Sequence, residues 1–136
     1  MPEIKSAAKI EHLEQLIDFV AGHAEMVGFP VNRINEIELA TEEVLVNIFQ
    51  YAYPGIDGDV VIDCRTEDEV RLILVISDQG APFNILKVPD PDVTRDISDR
   101  EIGGLGVFFV KEMVDEARYR RKGNSNILTL IFDKRH

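Results

Sequence analysis

Glu36 to Tyr53 reads EIELATEEVLVNIFQYAY, and the fold turns on whether this stretch forms one helix. Ile34, Ile37, Thr41, Val44, Leu45, Ile48 and Ala52 recur at three- and four-residue intervals, the spacing of a helix with a single buried stripe. Asn32 is the expected cap at its start, and Pro54-Gly55 ends it. Against that stripe the glutamates and the asparagine are out of place. Residues four apart lie about 40° apart around a helix axis, so Glu43 and Asn47 project side by side. The pair points away from the main stripe, yet Leu39, Ala40 and Val46 flank it, which predicts partial burial; Glu42 is left to solvent.

Working outward toward the N-terminus, Ile10, Leu13, Ile17, Val20, Ala24 and Val27 predict an earlier one-faced helix, punctuated by Gly28 and Pro30. Toward the C-terminus the period changes. Val60-Val61-Ile62 and Val70 to Ile76 are β-branched and aliphatic runs, joined by the polar Thr66-Glu67-Asp68-Glu69, hence a strand pair. After SDQGAPFN, Asn84 to Gly103 shows neither period, and a loop that long in a small domain is usually a lid or binding loop. Leu105 to Asp115 predicts a third helix, opening on Gly103-Gly104-Leu105-Gly106, before a closing hairpin of Arg118–Arg121 and Asn126–Phe132 about Gly123-Asn124-Ser125. With a short strand near Glu3 to Ala7, the order predicts an α/β two-layer sandwich, helices on one face of a mainly antiparallel sheet, in a single domain over 1–136.

Composition narrows the function. The 136 residues are 45% hydrophobic and 29% charged, as in ordinary globular domains. Twenty-five acidic against fifteen basic residues give a formal charge of -10, which argues against nucleic acid and anionic lipid as partners but not against a small phosphate held by local N–H groups and a metal ion. Cys64 is the only cysteine, so no intramolecular disulfide forms, and no Cys/His cluster has zinc-ligand spacing. MPEIKSAAKIEH lacks the apolar core of a signal peptide, and no apolar run approaches the ~18 residues of a membrane span. A cytoplasmic location is the expectation.

Three short patterns carry candidate chemistry. Glu43-x-x-x-Asn47 reads as a surface hydrogen-bonded pair or, functionally, as a hard oxygen for Mg²⁺ beside a carboxylate placed to take a proton. Asp78-Gln79-Gly80-Ala81-Pro82-Phe83 reads as a strand-ending turn or as a carboxylate accepting from an exocyclic amine, with Gly80 letting a flat ring approach the backbone. Gly103-Gly104-Leu105-Gly106 reads as a helix cap or as an anion site of unpaired N–H groups. It is not a P-loop, which needs GxxxxGK[ST].

Taken together and in this order, Glu43-x-x-x-Asn47, Asp78-x-Gly80-x-Pro82-Phe83 and Gly104-x-Gly106 resemble the asparagine box and the two glycine boxes of the Bergerat-fold (GHKL) ATPases, shared by gyrase, histidine kinases and the MutL repair proteins. ATEEVLVNIFQYAY and GGLGVFFVKEMVDEARYRRKGNSNILTL are most similar to the bacterial anti-sigma-factor serine/threonine kinases. The resemblance implies ATP and Mg²⁺ as ligands, Glu43 as general base, Asn47 as the Mg²⁺ ligand and Asp78 as acceptor for the adenine amino group, with Gly80 beside the ring. It also implies Thr129 near the adenine, Gly104, Leu105 and Gly106 at the phosphates, and Asn84 to Gly103 as the ATP lid. The basic residue for the γ-phosphate stays unassigned among Arg95, Arg100 and Lys111. The implied partners are a sigma factor and a STAS-type anti-anti-sigma protein carrying the acceptor serine.

The competing reading from another class is a nucleotide-sensing module that sequesters its partner without transferring phosphate. A histidine kinase fragment is disfavoured, because His12, His23 and His136 are isolated and no coiled-coil segment presents an acceptor histidine. Val107, Phe108, Phe109 and Val110 cannot all face inward on a helix buried on one side, so they are candidates for a homodimer or partner surface, unless lid and sheet cover the helix on both sides.

Overall fold

A computed structural model describes residues 2–87 and 110–134. Within them the chain forms β1 (Glu3–Ala7), α1 (Leu13–Val27), α2 (Val31–Tyr51), β2 (Asp59–Glu67), β3 (Arg71–Asp78), β4 (Glu116–Lys122) and β5 (Ser125–Asp133). The strands make one five-stranded sheet in the order β1-β2-β3-β5-β4, and each neighbouring pair is antiparallel. The expected two-layer sandwich is present. Leu105 to Gly106, with most of the expected lid, lies outside the described residues; of the third helix, residues 110–113 are described and helical.

Alternation sets which face of the sheet is covered. Along β3 every second residue is buried, so Leu72, Leu74, Ile76 and Asp78 share one face, and the register carries that face to Val60, Ile62 and Cys64 of β2 and Asn126, Leu128, Leu130 and Phe132 of β5. Onto it pack Leu16, Val20 and Ala24 of α1 and Ile37, Val44 and Leu45 of α2, forming one core. At roughly 1.5–3 kcal/mol for each fully buried aliphatic side chain, this face is the main source of stability.

Both helices begin differently from the sequence expectation. Ile10 to His12 is a short 3₁₀ turn and Ile10 is exposed, so α1 starts at Leu13, and Leu16 rather than Ile10 belongs to its buried line. Asn32 is not the cap of α2. Pro30 takes that place with extended backbone, and its carbonyl accepts from the N–H groups of Arg33 and Ile34, so the helix is under way before Asn32. Gly28 ends α1 at φ 88, a left-handed conformation that closes the turn between the helices at little steric cost. The β2–β3 connection is Asp68 to Val70, with Asp68 and Glu69 at φ 53 and 58. The β4–β5 turn needs only Gly123 and Asn124, since Ser125 is already in β5.

Candidate functional site

The polar interruption of α2 lies where the helix leaves the densest part of the core. Asn47 is 4% exposed, and its amide Nδ2 donates to the Glu43 carbonyl (2.7 Å) and to Glu43 Oε1 (3.0 Å). Its Oδ1 takes no hydrogen bond from the described residues and is not sealed from solvent. Glu43 is half-buried and Glu42 exposed, as the helical count predicts. Burial pushes the Glu43 carboxyl above its usual 4.5; the Asn47 hydrogen bond opposes that shift and the charge of Glu42 adds to it. A carboxylate with a raised pKa is a stronger base than a free glutamate.

Asp78 ends β3 on the same covered face, 6% exposed. Its Oδ1 accepts from the Gly80 N–H and from Asn126 Nδ2, each at 2.9 Å, while Oδ2 has no hydrogen bond from the described residues. A cleft separates the end of β3 from the C-terminal half of α2. Ile76 and Leu128 line it from the sheet, Val44, Asn47 and Ile48 from α2, and Phe83 and Ile85 from the segment after β3. Counting its open mouth it spans about 380 Å³, apolar except for Asn47, Asp78, Asn126 and the Tyr119 hydroxyl. That is the usual make-up of a small-molecule site: a greasy slot with few, convergent polar groups.

Gly80 is required for a reason other than room for a ring. A Cβ there would lie 2.2 Å from the Ala52 carbonyl oxygen, and Ala81 N–H donates to that same oxygen at 2.8 Å. The glycine lets the turn after β3 close onto the end of α2, which brings Asp78 opposite Asn47. Tyr53 fixes the same turn from the other side, accepting from Gln79 N–H (2.7 Å) and donating to the Asp59 carbonyl (2.6 Å).

Thr129 is not brought to the cleft. It pairs with Val75, and the two-residue alternation of β5 turns both to the face away from the helices. Asn126, the register partner of Asp78, occupies the cleft instead. Sequence reasoning missed Asn126, Tyr119 and Arg33; parity from the buried Leu128 and Leu130 would have pointed to Asn126. Arg33 is 2% exposed and donates to the carbonyls of Met113 (2.7 Å) and Asp133 (3.1 Å) and to the Asp115 carboxylate, with its guanidinium 5.3 Å from the Phe132 ring centre. Gly104, Leu105, Gly106, Arg95 and Arg100 lie outside the described residues.

A family model described as the histidine kinase-like ATPase domain matches residues 6–132. The chain belongs to that family. Among curated relatives of this ATPase domain it is similar to the serine-protein kinase RsbW of Bacillus mycoides (strain KBAB4), 25% identical over 98% of this chain and 85% of that protein. Among solved structures, that of the RsbU and RsbW domains of Rv1364c from Mycobacterium tuberculosis superposes with a TM-score of 0.65 at 15% identity, over 98% of this chain and 32% of that one. The catalytic domain of histidine kinase ThkA superposes with a TM-score of 0.55 at 9% identity, over 98% of each chain. The architecture is thus the GHKL fold.

The residues present fit the ligands this family implies. Asn47 offers a free hard oxygen, and no cluster of three or more His, Cys, Asp or Glu forms a metal site among the described residues. A cation held through a single amide oxygen is completed by water and phosphate oxygens, which suits Mg²⁺. No helix among the described residues is long and apolar enough to cross a membrane.

Proposed function

We propose that this chain is an ATP-dependent serine/threonine protein kinase that acts as an anti-sigma factor, holding a sigma factor and phosphorylating a STAS-type anti-anti-sigma protein on serine. The observation that supports it best is the placement of Asp78 and Asn47 across one apolar cleft, with Glu43 one helical turn from Asn47. Similarity to proteins named serine-protein kinase, over nearly the whole chain, supports the reaction class.

Each residue has a distinct task. Asp78 Oδ2 accepts an N–H of the base, Ile76, Ile48 and Leu128 supply flat apolar walls, and Asn47 Oδ1 holds Mg²⁺. Bound Mg²⁺ supplies charge neutralisation for the phosphate oxygens, which is most of what phosphoryl transfer needs besides positioning. Glu43 takes the proton of the acceptor serine hydroxyl as that oxygen forms its bond to the γ-phosphorus and ADP departs. Gly104, Leu105 and Gly106 serve the phosphates in this reading.

The test is to incubate the protein with Mg²⁺, labelled ATP and a purified anti-anti-sigma candidate. Phosphoserine should form on the partner, and Glu43→Gln should lower its rate by about 10²–10⁴-fold, the usual contribution of a general base, with ATP binding retained. Partner binding without phosphoserine, unaffected by Glu43→Gln, would instead establish the sequestering module.

A further inference from the structure

The closing hairpin holds one oxygen of the Asp78 carboxylate through the Asn126 side chain. Asn126 makes four hydrogen bonds: Nδ2 to Asp78 Oδ1 (2.9 Å) and to the Ala81 carbonyl (2.9 Å), and Oδ1 from Tyr119 Oη (2.5 Å) and from the Phe83 N–H (3.3 Å). Two of these partners are backbone groups with only one possible role. A carbonyl cannot donate and an N–H cannot accept, so the amide orientation is forced. Tyr119 reinforces it, because a phenol donating to Oδ1 meets an oxygen and not an NH₂. Asn126 therefore always presents N–H to Asp78.

The consequence falls on Asp78. Its Oδ1 receives two N–H donors, from Asn126 and Gly80. The Gly80 carbonyl is gripped in turn by Arg121 Nη1 at 2.7 Å, so the turn carrying that N–H is fixed from β4 as well. Oδ2, which takes no hydrogen bond from the described residues and is not sealed from solvent, is the oxygen left for a ligand. Such an oxygen matches an amino group on a purine edge and repels a carbonyl oxygen at the same position.

We propose that Tyr119 and Asn126 are positioning residues that set the base preference of the cleft, amino over oxo at the purine 6-position, by holding the Asp78 carboxylate in one orientation with Oδ2 left for the base. This rests on the nucleotide reading given above. The Asn126 amide is committed to protein partners through both its nitrogen and its oxygen, and the Tyr119 hydroxyl spends its proton on Asn126 Oδ1. Their effect on the base preference runs through Asp78.

ATP and inosine triphosphate have the same triphosphate and differ on one edge of the purine, where adenine carries a 6-amino group beside an accepting N1 and hypoxanthine a 6-oxo group beside an N1–H. Dissociation constants for both, by titration calorimetry in excess Mg²⁺, separate base reading from phosphate binding. The wild type should favour ATP by about a hundredfold or more, since a site that hydrogen-bonds one group leaves a buried acceptor unpaired with the other. Tyr119→Phe should cut that ratio about tenfold, by weakening ATP alone; Asn126→Ala should remove most of it. A general packing defect would weaken both nucleotides equally and leave the ratio intact. If the wild type discriminates but neither variant changes the ratio, the proposal is overturned; should Asn126→Ala not fold, Tyr119→Phe alone decides. Wild-type protein that binds neither triphosphate overturns the nucleotide reading itself and this proposal with it, and that failure shows before any substitution.

Discussion

At the scale of single residues, the burial of Glu43 opposes stability. Its carboxyl is pushed above 4.5 chiefly by burial, so between its unfolded and folded pKa values the folded state binds more protons than the unfolded one. Stability then falls as pH rises through that window. Below 4.5 the group is protonated in both states and the penalty vanishes; above the folded pKa it is fully expressed. Glu43→Gln, which keeps the shape and the amide contact, should therefore melt at a higher temperature than the wild type at pH 7 to 8. The advantage should shrink toward pH 4, and a constant difference across that range in calorimetric melts would contradict the assignment. The same variant is the one expected to lose phosphotransfer.

At the scale of elements, Arg33 ties three of them together. Its guanidinium lies between the start of α2, the end of the helical turn at 110–113 and the end of β5, with Phe132 stacked against it. Asp115 accepts from Arg33 and also from the Asp133 N–H, so losing the guanidinium removes a charged donor from that carboxylate and from the Met113 and Asp133 carbonyls. Arg33→Met should cost about 3 kcal/mol in urea unfolding. Arg33→Lys should recover less than half of that, because an ammonium cannot serve carbonyls and carboxylate in one plane. Periodicity made both helices and the strand pairs legible, since three- and two-residue repeats are local. It could not reveal Arg33, whose partners other than Glu36 lie 80 to 100 residues away, nor the face of Thr129, because a shift of one residue in a strand inverts every side chain.

At the scale of the whole molecule, the cleft is made by the sheet and α2 jointly, so a ligand there should stabilise the entire fold. Mg·ATP at about a hundred times its Kd should raise the melting temperature by on the order of 5–10 °C. Asp78→Asn should largely abolish that rise, because the amide would bring a donor toward the amino group. In the absence of nucleotide the same variant should keep a cooperative transition, and an equal rise in both proteins would remove Asp78 from the site. Cys64, 2% exposed with its thiol pushed up to about 12 by burial, lies on the core face of β2; its alkylation by iodoacetamide reports global opening and should slow with the same ligand.

Sequence alone determined the two long helices, the strands, their order and the polar face of α2, because hydrophobic spacing and the Glu43–Asn47 interval act within a few residues of chain. It also placed Asp78 at the end of a buried strand, and the ordered motifs indicated the family. Tertiary structure alone decided what stands opposite Asp78. The β3–β5 register put Asn126 there and turned Thr129 away, and the contact of Gly80 with the end of α2 set the width of the cleft. Those are matters of strand parity and backbone approach between segments far apart in the chain, which no local pattern encodes.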